Sequence, residues 1–506
     1  MRAARTALVL LSSLFLCRSS AAQAPAAHLP DTLAGRCAGA YLEAFNGEDE
    51  AALRTFFETC MVKDFPSRRP LKDAVAMTLG IRAQTGRLSL ERVSTSSETL
   101  LGLLLKSEKD GWVELTFRLS TAEPGRFEGI LFDEAELPGS GEARPETLSA
   151  LPGAVSALLK SRWETGEFSG VVLAAVGDRV VVHECAGLAD RSFAVPVTRD
   201  TKFNLGSINK LFTRIAVAQL AEKGRLSLDD TVGKILPDYP NPEVAAQVTV
   251  RHLLDFTSGM GDFFGEKFDA IPKDRLRDNR DYLSLFAADP LQFEPGTSRR
   301  YSNAGYVVLG LIVEKVSGKS YYDYIRENIY GPAGMTDTDS FEADVPVANL
   351  AEGYTRNWGG SEHAGEPPRS NIYSRPARGS SAGGGYSTAP DLFRFAGALK
   401  AGRLLGPDFT RWVLGGPEPG RPESGPGGQE PPSLVVAGGA PGIHAFLAME
   451  GDLVVVSLAN LDPPSAGNVG RKVLNWLRNV EGSSGDPVRP AGEGPKGIPP
   501  PGAGAR

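Results

Sequence analysis

The sequence predicts an α+β protein with two unequal folded parts, and three observations carry that prediction. The segment from about Leu148 to Val480 opens with a helix and a hairpin and closes with a hairpin and a helix. One antiparallel sheet assembled from both ends, flanked by helices and a helical region, accounts for that order. The smaller segment from about Pro25 to Glu136 runs helices first and strands after, a second α+β pattern. The length of 506 residues, 41% of them apolar, suits large cores and about two domains once a leader and a tail are set aside. A net charge of −7 argues against nucleic-acid binding and supplies no polybasic membrane anchor. The expected organisation is a leader at 1–24, a small domain at 25–137, a linker at 138–147, a larger domain at 148–480 and a tail at 481–506.

Arg2 and Arg5 precede the mostly apolar run Ala7–Leu16, and Ala22-Gln23-Ala24 places small residues where cleavage needs them. This is the pattern of a secretory signal peptide, so a secreted or periplasmic protein is expected. Cys17 follows Leu16, where lipoprotein processing requires a small residue, and no later apolar run is long enough to span a membrane. In the small domain, apolar periodicity predicts helices at Asp31–Phe45 and Glu48–Met61. Alternation predicts strands at Leu88–Ser94, Glu98–Ser107, Trp112–Leu119 and Phe127–Phe132. Cys37 and Cys60 fall on the two helices, and both a disulfide and a pair of buried thiols are open to them. Cys185 lies in an apolar strand and reads as a core residue. No cysteine has metal-ligand spacing and the five histidines are scattered, so no metal is expected.

The larger domain begins with the helix Ala150–Trp163 and the hairpin Gly170–Val176, Gly177-Asp178, Arg179–Cys185. It ends with Ile443–Met449, the turn Glu450-Gly451-Asp452, Leu453–Ala459 and a helix near Arg471–Arg478. Between Gly415 and Pro432 a Pro/Gly/Glu-rich insert has no capacity for a core, and Glu481 to Arg506 reads as a disordered tail.

The chemistry is concentrated around Ser207-Ile208-Asn209-Lys210. Residues three apart on a helix share a face, so the amine can reach the hydroxyl. A neutral amine in a dry site accepts the hydroxyl proton and turns a weak alcohol into a nucleophile. Phe203-Asn204-Leu205-Gly206 approaches it, and Ile208, Leu211, Phe212, Ile215 and Leu220 continue at helical spacing. Ser207 is therefore expected at a helix N-terminus, where N–H groups and the dipole favour developing negative charge. Downstream, Tyr301 and Asn303 flank Ser302 in a loop expected to lead into a helix at Val307–Val316. A phenol relays a proton, with a nearby cation expected to lower its pKa. A carboxamide offers a donor and an acceptor to an ester or amide.

In order along the chain, Phe203–Thr213, Gly224-Arg225-Leu226-Ser227-Leu228-Asp229-Asp230, His252-Leu253-Leu254 and Thr257-Ser258-Gly259 resemble the serine β-lactamase and penicillin-binding-protein-like hydrolases. So do Tyr301–Tyr306, Gly331–Thr336 and Gly383–Thr388, and the resemblance is greatest to the class C and D,D-carboxypeptidase-like branch. It covers nearly all of the larger domain and implies an exported, acyl-enzyme-forming serine hydrolase that needs no cofactor. Its implied partner is a small-molecule or peptide substrate, not nucleic acid or a stable membrane anchor. Carried over, Ser207 is the nucleophile, Lys210 its base or shuttle, Tyr301 the proton donor to the leaving group and Asn303 the holder of the substrate amide. The N–H groups of Ser207 and Gly439 form the oxyanion hole. In the small domain, Tyr41–Asp49 resembles nuclear-transport-factor-2-like domains. That resemblance implies a ligand-binding cone or an accessory or dimerising role, and the lack of a polar constellation there favours the second.

The sequence departs from the hydrolase pattern at Ser433–Gly442, where Val436 occupies the position of a Lys or His. The loss of that cation shifts the expected substrate away from carboxylate-bearing β-lactams toward neutral esters or amides, unless Arg299 or Arg300 supplies the charge. It also favours the alternative of a ligand sensor or binding module without turnover. Two rival nucleophile or base candidates stand on weaker ground. Gly379-Ser380-Ser381-Ala382-Gly383 has the spacing of a nucleophile elbow, but Pro376 and two arginines replace the apolar strand that elbow needs. His444, just past the third motif, reads as a structural strand histidine rather than a displaced base.

Overall fold

The computed structural model describes residues 28–63, 65, 71–108, 112–135, 145–358, 361–363, 366–420 and 433–483. The expected leader, residues 138–144 of the linker, 421–432 of the insert and the tail from 484 lie outside the described residues. The chain divides into two compact units, residues 1–140 and 141–506. No helix among the described residues is long and apolar enough to cross a membrane.

In the first unit, α1 (Leu33–Gly47) begins where the Thr32 hydroxyl accepts from the Gly35 N–H at 3.1 Å, and α2 (Glu50–Thr59) where Asp49 accepts from Ala51 and Ala52 at 3.0 Å. A third helix that the sequence reading does not name, α3 (Leu71–Thr85), follows. Strands β1 (Leu88–Ser96), β2 (Leu100–Ser107), β3 (Trp112–Leu119) and β4 (Phe127–Ala135) form an antiparallel meander in chain order. The space between helices and sheet is filled by rings: Tyr41 packs against Phe45, Phe56, Phe57, Phe117 and Phe132 at centroid distances of 4.8–6.5 Å. Cys37 and Cys60 are joined in a disulfide that ties α1 to the C-cap of α2, so the thiol alternative does not hold.

The second unit is built on a five-stranded antiparallel sheet. Its members are β5 (Gly170–Val176), β6 (Arg179–Ala186), β7 (Ser433–Ala440), β8 (Ile443–Glu450) and β9 (Leu453–Ala459), in the order β7-β8-β9-β5-β6. The two chain-terminal hairpins thus meet through β5 and β9, as the sequence pattern predicts. Side chains alternate between two cores, as a strand of period 2 requires. Val172, Ala174, Phe446 and Val455 pack under α4 (Leu151–Glu164) and α8 (Ser465–Ser483), while Val171, Leu173, Leu447 and Val456 face the larger helical core. That core holds α5 (Asn209–Glu222), α6 (Asn303–Ser317) and α7 (Ala389–Lys400).

Two expectations are corrected here. Helix α6 begins at Asn303 rather than Val307, because the Ser302 hydroxyl caps it by accepting from the Gly305 N–H at 3.0 Å. Asn303 is therefore the first helical residue and is buried, rather than a loop residue. Cys185 is only partly buried; its thiol donates to the Val197 carbonyl, and burial pushes its pKa up.

Candidate active site

Ser207 sits in a single 3-10 turn, Gly206–Ile208, that runs into α5. The turn is shaped by its approach. Asn204 accepts from the Gly206 N–H at 2.9 Å, Leu205 donates to the Gly385 carbonyl at 2.7 Å, and Phe203-Asn204 pairs with Tyr386-Ser387. Gly206 adopts φ +49°, a left-handed conformation that favours glycine. Opposite it, a Cβ on Gly438 would lie 1.9 Å from the Leu205 carbonyl oxygen and 2.6 Å from the Ser207 nitrogen. The two glycines let edge strand β7 press against the turn. Ala440 pairs with Ile443 across the turn Pro441-Gly442 and Gly439 pairs with His444. Closing hairpin pairs are hydrogen-bonded and bonded pairs alternate, so the Gly439 N–H points off the free edge, the side of Ser207.

Around the hydroxyl the distances are short. The Tyr301 phenol donates to Ser207 Oγ at 2.7 Å, and Lys210 Nζ lies 3.2 Å from the same oxygen. Lys210 also donates to Asn303 Oδ1 at 2.6 Å and to the Ala382 carbonyl. Burial lowers the Lys210 pKa to about 7, opposed by the charge of Asp262, which raises it. An amine with that pKa is substantially neutral near pH 7. It then has two N–H groups, which the Asn303 and Ala382 oxygens take, and its lone pair is left for the Ser207 proton.

Tyr301 departs from expectation. Its pKa is raised, not lowered, because burial disfavours the phenolate more than the Ser207 hydrogen bond favours it. The amine of Lys210 lies 4.8 Å from the centroid of the Tyr301 ring. Tyr301 is accordingly a neutral donor. Its ring is stacked on Phe256 at 4.8 Å, and Phe256 is held at φ +60°, an uncommon conformation for an aromatic residue. The residue is 48% exposed, so the phenol is open to a substrate on one side.

The structure thus brings Ser207, Lys210, Tyr301, Asn303 and the Gly439 strand together. The other candidates lie elsewhere or do other work. Ser381 is fully buried, its hydroxyl donating to Asn279 Oδ1 at 2.7 Å, and its loop lines up carbonyls for α5. Ser380 O accepts from Asn209 at 2.8 Å, Ser381 O from Thr213 at 2.7 Å, and Ala382 O from Lys210. The histidine at 444 accepts the Gly467 N–H on Nδ1 at 3.1 Å, and burial lowers its pKa to about 4, so it caps α8 as a neutral ring. Val436 packs against the main core. Arg299 donates to the Asp255 carbonyl at 3.2 Å and lies over the Phe256 ring, and Arg300 donates to Gln292 Oε1 at 2.5 Å.

Sequence reasoning missed Asp262. Its Oδ2 accepts from the Asn303 side-chain amide at 2.8 Å and from the Asn303 backbone N–H at 3.2 Å. That contact fixes which end of the carboxamide faces Lys210. The two residues are 41 apart in sequence, and only the position of Asp262 just after Thr257-Ser258-Gly259 marks it.

The family model described as Beta-lactamase matches residues 155–478. Among curated proteins, Penicillin-binding protein 4* of Bacillus subtilis is 38% identical over 183 residues, 36% of this chain and 40% of its own length. The chain spans about half the length of the curated relatives it matches. A penicillin-binding protein from Bacillus halodurans superposes with a TM-score of 0.54 at 32% identity, covering 63% of this chain and 99% of that one. The D-amino acid amidase of Ochrobactrum anthropi superposes with a TM-score of 0.54 at 25% identity, over 66% of this chain and 99% of its own. With a match across most of the second unit and a Ser-x-x-Lys pair seated beneath the sheet edge, the chain belongs to the Beta-lactamase family.

Proposed function

We propose that this protein is a serine hydrolase that cleaves an ester or amide through an acyl-enzyme. One observation carries the reading: Lys210 Nζ lies 3.2 Å from the Ser207 hydroxyl, its other polar contacts are the fixed oxygens of Asn303 and Ala382, and Tyr301 contacts the same hydroxyl. Neutral Lys210 takes the Ser207 proton as Oγ forms a bond to the substrate carbonyl carbon. The oxyanion is received by the N–H groups of Ser207 and Gly439. The proton passes by way of Tyr301 to the leaving group, the C–O or C–N bond breaks, and the acyl group stays on Ser207. Water then loses a proton to the Lys210–Tyr301 pair and attacks the acyl carbon. Ser207 leaves and recovers its proton, closing the cycle. Asn303 holds Lys210 by its oxygen. A substrate carboxylate beside the scissile bond meets Val436 rather than a cation, which supports neutral esters or amides at that end. The similarity to a protein named an amidase is in keeping with amides. We also propose that the second unit falls in the class C and D,D-carboxypeptidase-like branch and that the first unit has an accessory role.

The test is acylation. A fluorophosphonate probe is expected to label the protein and short-chain aryl esters to turn over, with both lost in Ser207→Ala by a factor of about 10³ or more. Stable labelling by a fluorescent penicillin without turnover of any ester would instead support a ligand sensor, the reading that Val436 favours. Absence of labelling by every probe would end the enzyme reading.

A further inference from the structure

A cavity of about 590 Å³ opens beside the β7–β8 hairpin that carries Gly439, and its volume is within the size range of small-molecule sites. Asp269, Asn357, Trp358, Arg369, Tyr373 and Pro441 are among the residues that line it. Pro441 connects it to the chemistry, since it follows Gly439 by two residues on the β7–β8 hairpin. Consecutive Cα atoms are about 3.8 Å apart, so the Pro441 Cα lies within about 7.6 Å of the Gly439 Cα. On the opposite flank Asp269 belongs to a short helix, Glu266–Ala270, that follows the loop carrying Asp262.

Among the described residues Arg369 is the only cation in this lining, and its guanidinium lies against an aromatic ring. Its Cζ lies 4.4 Å from the centre of the Trp358 ring. The His363 imidazole is stacked on the same indole at 4.0 Å and 6°. Both groups therefore lie against the Trp358 ring. His363 is itself held, Nδ1 by Glu366 at 3.3 Å and Nε2 by the Trp358 carbonyl at 3.3 Å. Two acids close to it in sequence have other partners. Glu366 is on His363, and Glu352 is bound by Ser370 and by Arg375 at 3.4 Å. Asp269 makes no ion pair with Arg369 among the described residues. A guanidinium held against an aromatic ring rather than in an ion pair retains N–H donors, and its fork suits a carboxylate in bidentate fashion.

From this we infer that the cavity is a substrate subsite for a carboxylate remote from the scissile bond, received by Arg369 on its Trp358 platform. The substrate class is therefore an ester or amide carrying a free carboxylate several atoms from the reacting carbonyl, rather than next to it. The inference rests on the hydrolase reading for its substrate, but the carboxylate site itself can be tested without turnover.

Two measurements test it. Nitrophenyl hemi-esters of four- to six-carbon dicarboxylic acids are compared with the same compounds capped as methyl esters at the far carboxyl. Acetates of carboxyphenols are compared with their methyl esters in the same way. In one series the free acid is expected to exceed the capped ester in kcat/KM by about tenfold or more, with Arg369→Gln erasing that ratio. A ratio near one in both series, or one unchanged by Arg369→Gln, would overturn the inference. Separately, calorimetric titration of the Ser207→Ala protein with adipate is expected to show binding that the added Arg369→Gln abolishes. Equal adipate binding with and without Arg369, or none to either protein, would overturn it as well. Failure of every ester to react with Ser207 would strike the hydrolase reading, while the titration still judges the carboxylate site.

Discussion

At Lys210 the balance between ammonium and amine is set by two opposing neighbours. Burial favours the amine, and Asp262, held at one remove through Asn303, favours the ammonium. The described groups in direct polar contact with Nζ are Ser207, Asn303 and Ala382, none of them charged. Since the free base is the working form, kcat/KM for a neutral ester is expected to rise with pH through about 7. Asp262→Asn removes the charge that raises the Lys210 pKa, so this acid limb is expected to move to lower pH. The rate at the plateau should fall about tenfold or more as Asn303 loses its fixed orientation. A pH–rate profile of both proteins checks the sign. A limb that stays in place while the plateau drops would make Asp262 a packing residue and no more.

Among the elements, the approach of β7 to the Ser207 turn is decided by backbone rather than side chains. Gly206 and Gly438 lie face to face, and a methyl group on Gly438 would meet the Leu205 carbonyl at 1.9 Å. Gly438→Ala is expected to push the edge strand away from Ser207. It should cost about 1–3 kcal/mol of stability through overpacking. Misplacing the Gly439 donor should lower kcat by about 10²-fold. Thermal unfolding and steady-state kinetics on one preparation separate the two effects. Wild-type kcat in a folded Gly438→Ala protein would remove Gly439 from the oxyanion hole. The same scale explains the Gly379–Gly385 loop. Its serine has the spacing of a nucleophile, but three successive carbonyls of the loop bind Asn209, Lys210 and Thr213 on one side of α5. A motif defined by side chains thus acts here through its backbone, which spacing alone does not reveal. Helix α6 carries a related lesson. Its first residue was legible only as a Tyr-x-Asn loop, because the cap at Ser302 and the contact with Asp262 draw Asn303 into the helix.

For the molecule as a whole, the first unit has a small core of its own, and its disulfide is the one covalent tie among the described residues. Closing a loop between residues 23 apart restricts the unfolded chain. Replacing both Cys37 and Cys60 by Ser is therefore expected to cost about 3 kcal/mol there. Faster amide exchange in α1 and α2 is the readout, and unchanged exchange would show that the ring core alone suffices. What the sequence by itself determined is the local pattern: two α+β units, the terminal hairpins of the sheet, the Ser207–Lys210 spacing and Gly439 on its strand. Those features repeat at intervals of two to four residues, the range over which helix and strand geometry acts. Only the tertiary structure decided the ionisation of Lys210, the neutral phenol of Tyr301, the part of Asp262 and the seating of Arg369 against Trp358. Each of these depends on burial and on partners brought from distant positions, and a linear spacing carries neither.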